Sequence, residues 1–173
     1  PFIAKQQRFT FARAGKTRPL SLEDYAANDG WAGLARAREI GGAATIAQIT
    51  ESGLRGRGGA GFPAGIKWTT VANAVADQKY IVCNADEGDS ATFADRMVME
   101  GDPFMLIEGM AIAAVATGAT QGTIYIRSEY PHAVATMRKA IDIATAAGFL
   151  GDHILGSEHR FHLDVRKAAG AYV

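Results

Sequence analysis

The chain has 173 residues, 48% of them hydrophobic, which suits one domain with an ordinary buried core and excludes a disordered tail. Lysine plus arginine equals aspartate plus glutamate at 18 each, so no overall charge excess points to nucleic acid, an anionic membrane or an acidic substrate. Cys83 is the one cysteine, which excludes an intrachain disulfide and any four-cysteine zinc or iron-sulfur site built from these residues alone. No apolar run approaches the roughly 20 residues that span a bilayer, and no basic-then-apolar leader pattern is present. The expectation is a soluble, cytoplasmic protein without membrane insertion. Both ends, Pro1 and the apolar Ala171-Tyr172-Val173, read as artificial ends of a longer polypeptide.

Residues 1–20 carry Lys5, Arg8, Arg13, Lys16 and Arg18 and no acid, a basic strap or a solvated connector. From 21 to 49 the spacing of Leu22, Tyr25, Trp31, Leu34, Ile40, Ile46 and Ile49 predicts packing helices broken at Gly41-Gly42. A regular alternation begins at residue 80. Tyr80-Ile81-Val82-Cys83 reads as a buried strand, 103–118 as a helix with Pro103 in its first turn and Gly118 at its end, and 123–126 as the next strand. Residues 131–147 read as an amphipathic helix closed by Gly148. In 160–166, Phe161, Leu163 and Val165 alternate on one face of a last strand. Strand, helix, strand, helix, strand needs crossover connections, so a largely parallel sheet with helices packed on it follows.

Between 53 and 65, six of thirteen residues are glycine. Each ordered glycine costs about 0.5 to 1 kcal/mol relative to alanine, so such density calls for positive φ or close approach of a ligand to the backbone. Bare amides can converge on phosphate oxygens, with Arg55 and Arg57 as bidentate donors and Phe62 as a flat surface for an aromatic ring. Gly56-Arg57-Gly58-Gly59-Ala60-Gly61 fits the dinucleotide pattern, but a helix precedes it where that pattern needs a strand. The ATPase-type phosphate loop fails, because Gly65 is followed by Ile66 before Lys67. A single copy between apolar helices does not read as an RGG-type nucleic-acid segment. A glycine-rich turn without a ligand is the bland alternative.

From 84 to 108 there are seven acids, Asp86, Glu87, Asp89, Asp95, Glu100, Asp102 and Glu108, against the one base Arg96. Asn84-Ala85-Asp86-Glu87 follows the first strand, and the C-terminal edge of a parallel strand is where ligands bind in open α/β sheets. Carboxylates there can accept from ribose or ribityl hydroxyls, and Asn84 can meet a heterocycle's imide edge. Capping or solvation is the alternative for each acid, with Asp102 placed to cap a helix at Pro103.

These residues match a family. The run 51–68, Glu-Ser-Gly-Leu-Arg-Gly-Arg-Gly-Gly-Ala-Gly-Phe-Pro-Ala-Gly-Ile-Lys-Trp, and the run 84–96, Asn-Ala-Asp-Glu-Gly-Asp-Ser-Ala-Thr-Phe-Ala-Asp-Arg, carry the match with Glu100-Gly-Asp-Pro-Phe104 and Tyr125-Ile-Arg-Ser-Glu-Tyr130. Together they closely resemble the NADH-binding flavoprotein subunit of respiratory complex I. That subunit recurs as the diaphorase of NAD-reducing hydrogenases and the beta subunit of NAD-dependent, molybdenum-containing formate dehydrogenases. The wording of Gly88-Asp89-Ser90, Arg96-Met-Val-Met-Glu100 and Ser128-Glu-Tyr-Pro-His132 is most similar to the last of these.

The resemblance implies an α/β, Rossmann-like, mostly parallel sheet flanked by helices, with an N-terminal helical and glycine-rich-loop segment. Residues 1–20 would be a basic connector and 21–173 an FMN- and NAD(H)-binding domain. The family's ubiquitin-like domain and its helical bundle with four cysteines for a [4Fe-4S] cluster would lie outside these residues. It further implies that Gly56, Arg57, Gly58, Gly59, Ala60 and Lys67 line the FMN and NADH phosphate region. Asn84, Asp86 and Glu87 would hold the flavin ring and ribityl chain, Phe62 would stack on the adenine, Asp89 and Thr92 would contact NADH, and Tyr172 would close over the flavin. Implied partners are an iron-sulfur small subunit and a molybdenum or hydrogenase catalytic subunit. Asp89, Thr70, Ala64 and Ala91 depart from the family's usual residues, the first two where NADH binds.

The chemistry expected is exchange of a hydride between NAD(H) and FMN and of single electrons with iron-sulfur clusters. No side chain serves as general base; Glu87 and Asp86 tune the flavin electrostatically. His159 and His162 fall on opposite faces of the last strand, so with His153 they are not expected to form a metal site, and Cys83 reads as a buried small residue. Competing classes are a non-redox nucleotide-binding module and a phosphotransferase using Arg55, Arg57 and Lys67.

Overall fold

Short apolar runs alternating with long apolar segments after residue 80 resolve as the predicted strands and helices, with one further helix at 94–101. The computed structural model describes residues 2–169. Helices α1 (Leu22–Ala27), α2 (Ala32–Glu51) and α3 (Ala64–Asn73) precede β1 (Tyr80–Ala85), α4 (Ala94–Gly101), α5 (Pro103–Thr117), β2 (Gln121–Ile126), α6 (Pro131–Ala146) and β3 (His162–Lys167). The strands form one parallel sheet in the order β1-β2-β3. Tyr80 stands opposite Gln121, and Gln121 opposite His162.

Helix α5, apolar on every side apart from Glu108, lies between the sheet and α2, which is how an all-round apolar helix is accommodated. It packs on β1 and β2, and α6 packs on β3 and on α5, so the crossover helices share one face of the sheet. Phe161, Leu163 and Val165 point into that face, as their alternation predicts. The opposite face is bare among the described residues: Tyr80, Val82 and Tyr125 are largely exposed, although parallel sheets are ordinarily covered on both sides. Helix α2 bends at Gly41 (φ 80°), at the break seen in the sequence. No helix among the described residues is long and apolar enough to cross a membrane.

Several expectations are corrected. β1 runs two residues further than predicted because Asn84 and Ala85 continue the ladder opposite Tyr125 and Ile126. Asn84 therefore belongs to the strand. Asp102 precedes α5 but does not cap it with its side chain. Its buried carboxylate instead takes a 2.8 Å bond from Arg13 Nε, and burial, the largest influence, raises its pKa. Arg13 also lies over the Tyr25 ring, and Arg18 pairs with Asp24, so these two cations of the basic strap are fastened to the domain. Glu108 stands in the core, away from the acid cluster, among Tyr25, Trp31 and Leu34. Cys83 lies on the helix-covered side of β1, and burial followed by the charge of Asp95 pushes its thiol up to about 11, which fits the inert reading.

Candidate functional site

Two loops meet at the C-terminal end of β1. The glycine loop hangs between α2 and α3 and is closed at its neck by backbone bonds: Ala64 N to Leu54 O at 2.8 Å and Gly56 N to Phe62 O at 2.9 Å. Beyond the neck, Gly59 (φ 99°) and Gly61 (φ 61°) take left-handed conformations that a side chain would strain. A Cβ placed on Gly58, Gly59 or Gly61 would meet nothing within 4 Å, so this backbone faces open space. Arg57 Nη1 donates to Arg55 O at 2.8 Å and Arg55 Nη1 to Gly61 O at 3.0 Å, folding both guanidiniums over the loop. Lys67, in the first turn of α3, places its Nζ 5.4 Å from the centre of the Phe62 ring.

The second loop follows β1. Asn84 Oδ1 accepts from Asp86 N at 3.1 Å, which turns the chain as it leaves the strand. Glu87 then adopts φ 49° and sends its carboxylate to the first turn of α4, accepting from Asp95 N at 2.8 Å and Arg96 N at 3.1 Å. A helix end is well satisfied by such an acceptor. The loops enclose a cleft of about 500 Å³ lined by Arg57, Gly58, Asn84, Asp86, Glu87, Gly88, Asp89 and Asp95, within the usual range for small-molecule sites. Burial, and then the neighbouring Glu87 charge, raises the pKa of Asp95. A cavity of about 450 Å³ lies elsewhere, between Arg18, Leu20, Glu100 and His132, and the glycine loop contributes nothing to it.

Of the residues singled out in the sequence, Arg57, Gly58, Asn84, Asp86, Glu87 and Asp89 share the cleft. Gly56, Gly59, Ala60 and Phe62 stand on the glycine loop without lining it, and Lys67 rests against Phe62. Thr92 also lies outside the cleft wall, its carbonyl accepting from Tyr130. Tyr172 falls outside the described residues. Asp95 also lines the cleft; the sequence shows it only as one acid among seven, and the turn that brings it beside Glu87 is set by α4. Three of those acids serve elsewhere, Glu100 with Arg96 at 3.0 Å and His132 at 3.5 Å, Asp102 with Arg13, and Glu108 in the core.

A parallel sheet with a glycine loop and a polar loop converging beyond a strand's carboxyl end is the architecture of α/β nucleotide-binding domains. Residues 49–173 match the family described as the Nuo51 FMN-binding domain, and the chain belongs to that family. It is 50% identical over 169 residues to NADP-reducing hydrogenase subunit HndC of Solidesulfovibrio fructosivorans, covering 98% of this chain and 34% of that protein. It is 46% identical over 153 residues to a subunit of the NADH-quinone oxidoreductase of Rhizobium meliloti, covering 88% and 36%. The solved NAD+-reducing [NiFe]-hydrogenase in the air-oxidized state aligns with a TM-score of 0.71 at 30% identity, over 96% of this chain and 26% of the hydrogenase chain. The chain thus spans about a third of the length of the curated relatives it matches.

Proposed function

We propose that residues 21–173 bind FMN and NAD(H) as the diaphorase portion of a cytoplasmic multisubunit oxidoreductase, with 1–20 a strap fastened to that domain. The observation that carries this reading is the convergence of the glycine loop and the Asn84–Asp86–Glu87–Asp89 wall on one cleft. The donor set fits FMN. Side-chain-free amides at Gly58, Gly59 and Gly61, with Arg57 beside them, suit a phosphate, and the Cβ-sized openings there let the backbone approach it. Asn84 can meet the ring's imide edge, and Asp86 and Glu87 can accept from ribityl hydroxyls. Phe62 is half-exposed and flat, suited to an adenine, with Asp89 and Thr92 contacting NADH and Tyr172 closing over the flavin. The chemistry such a flavin would supply is acceptance of one hydride, two electrons together, from NADH and their release one at a time to iron-sulfur clusters, including a [4Fe-4S] cluster outside these residues.

The chain's own work is orientation and field. The cleft fixes where the nicotinamide can stack, and Glu87, anchored by two amides of α4, holds negative charge beside the site in a constant position. The wording of 88–90 and 128–132 favours a formate dehydrogenase complex with an iron-sulfur small subunit and a molybdenum subunit. A second reading, the hydrogenase counterpart, is favoured by the 50% identity to HndC.

The test is the full chain purified anaerobically. It is expected to carry flavin absorption that NADH bleaches, and Glu87→Gln is expected to raise the flavin midpoint potential. A colourless chain that stays colourless after incubation with FMN would overturn the reading, and an unchanged potential would remove the tuning role of Glu87.

A further inference from the structure

Residues 127–130 form the corner between β2 and α6. We propose that Arg127 and Tyr130 at this corner are positioning residues that hold the loop 86–93 in the shape that receives NAD(H). The inference rests on the function proposed above.

The loop is poorly determined by its own sequence. Glu87 (φ 49°) and Ala91 (φ 62°) are both left-handed without being glycine, a state that persists only when the surroundings impose it. The corner supplies two constraints. Arg127 Nη1 donates to Glu87 O at 2.8 Å, and Tyr130 Oη donates to Thr92 O at 3.2 Å. These carbonyls bracket the stretch that carries Asp89. Tyr130 is itself held, its buried ring lying 5.2 Å from the Arg127 guanidinium and 5.3 Å from that of Arg96. Arg127 pairs with Glu129 through Nη2 at 3.3 Å, while its buried Nε has no partner among the described residues.

Neither Arg127 nor Tyr130 lines the cleft, so each acts through the loop. Their influence should fall on the dinucleotide more than on the flavin. Asn84 is fixed by the β1–β2 ladder and Asp86 by its turn onto Asn84, independently of the corner. The Glu87 carboxylate keeps its two amide anchors on α4, whereas Asp89 and Thr92 lie on the bracketed stretch.

The test uses the full FMN-loaded chain with Arg127→Met, Arg127→Lys and Tyr130→Phe. Arg127→Met keeps much of the apolar stem and deletes the donors, Arg127→Lys restores one charged donor, and Tyr130→Phe removes only the hydroxyl. Expected is a rise of about ten-fold in KM for NADH and in the equilibrium Kd for NAD+ for Arg127→Met, and about three-fold for Tyr130→Phe. Arg127→Lys should fall between wild type and Arg127→Met. FMN content should match wild type, kcat should stay within about two-fold, and amides of 87–92 should exchange faster with deuterium. Unchanged KM, Kd and exchange in Arg127→Met and Tyr130→Phe would overturn the proposal, as would loss of FMN and kcat at constant KM. If Arg127→Met does not fold, Tyr130→Phe decides by the same measurements. A wild-type chain that takes up neither FMN nor NAD+ overturns the proposed function and this role with it; normal wild-type uptake with indifferent variants overturns the corner alone.

Discussion

Glu108→Ala is expected to lower the stability of the chain by about 3–5 kcal/mol, the cost of stripping a buried acceptor from charged hydrogen bonds. Glu108 projects from α5 into the aromatic cluster and accepts from Tyr25 Oη at 2.5 Å, Trp31 N at 2.9 Å and Leu34 N at 3.0 Å. The last two are amides at the start of α2, whose own N-cap position, Trp31, offers no side-chain acceptor. One carboxylate thus closes α2, anchors α1 through Tyr25 and ties both to α5. Trp31 stacks on Phe149 at 3.9 Å and meets Tyr25 edge-on at 5.2 Å, so the same loss loosens the ring cluster. Glu108→Gln, which keeps one oxygen and adds donors with nowhere to go, should be damaging but milder. Urea unfolding followed by circular dichroism measures both; a loss below about 1 kcal/mol for the alanine variant would contradict the assignment.

The same contact gives stability an alkaline limb. Burial, and then the bond to Glu108, raises the Tyr25 pKa in the folded chain. A protonated hydroxyl is therefore favoured by folding. Its contribution is fully present below the ordinary tyrosine value of about 10 and is lost as pH rises from there through the folded value. Tyr25→Phe should flatten that limb.

Elements whose burial is local were legible in the sequence. The alternation at Phe161, Leu163 and Val165, the Pro103 and Gly118 brackets of α5 and the break at Gly41 each express a rule acting within a few residues, and each survives in the fold. Helix α4 was not legible, because its end is satisfied by Glu87, eight and nine positions upstream of the amides it accepts from. Nor could the acids be sorted. Asp86, Asp102 and Glu108 look alike in a list of charges, and what separates the last two from the first is Arg13, 89 positions from Asp102, and Tyr25, 83 positions from Glu108. The meeting of the glycine loop and Asn84–Asp89 at one cleft was legible, because dense glycine and a polar run after a strand are unusual on their own terms. The corner at Arg127 was hidden, because its partners are main-chain carbonyls that leave no trace in the sequence.

Gly65→Ala is expected to cost about 1–3 kcal/mol of stability and to lower the FMN content of the purified chain, through crowding between helices. Gly65 sits in the first turn of α3, where a Cβ would stand 2.9 Å from Thr50 Cα and 3.0 Å from Thr50 Cβ, and closer still to Thr50 Oγ1. The hydroxyl is tied to Ile46 O at 2.8 Å, and the Cα is main chain, so Thr50 has little freedom to yield. Helix α3 must then move off α2. The neck of the glycine loop joins the ends of these two helices, so its Leu54–Ala64 and Gly56–Phe62 bonds take up the displacement. Gly58→Ala is the informative contrast. Its Cβ would enter open space, so unfolding should be unaffected while a group approaching that backbone is obstructed. Adding Thr50→Ala to Gly65→Ala removes the hydroxyl contact and leaves the Cα and Cβ contacts, so it should recover only part of the stability. Full recovery in the double variant would place the whole clash on the Thr50 hydroxyl, and an unchanged melting temperature and FMN content in Gly65→Ala alone would show that the α2–α3 contact does not set the loop.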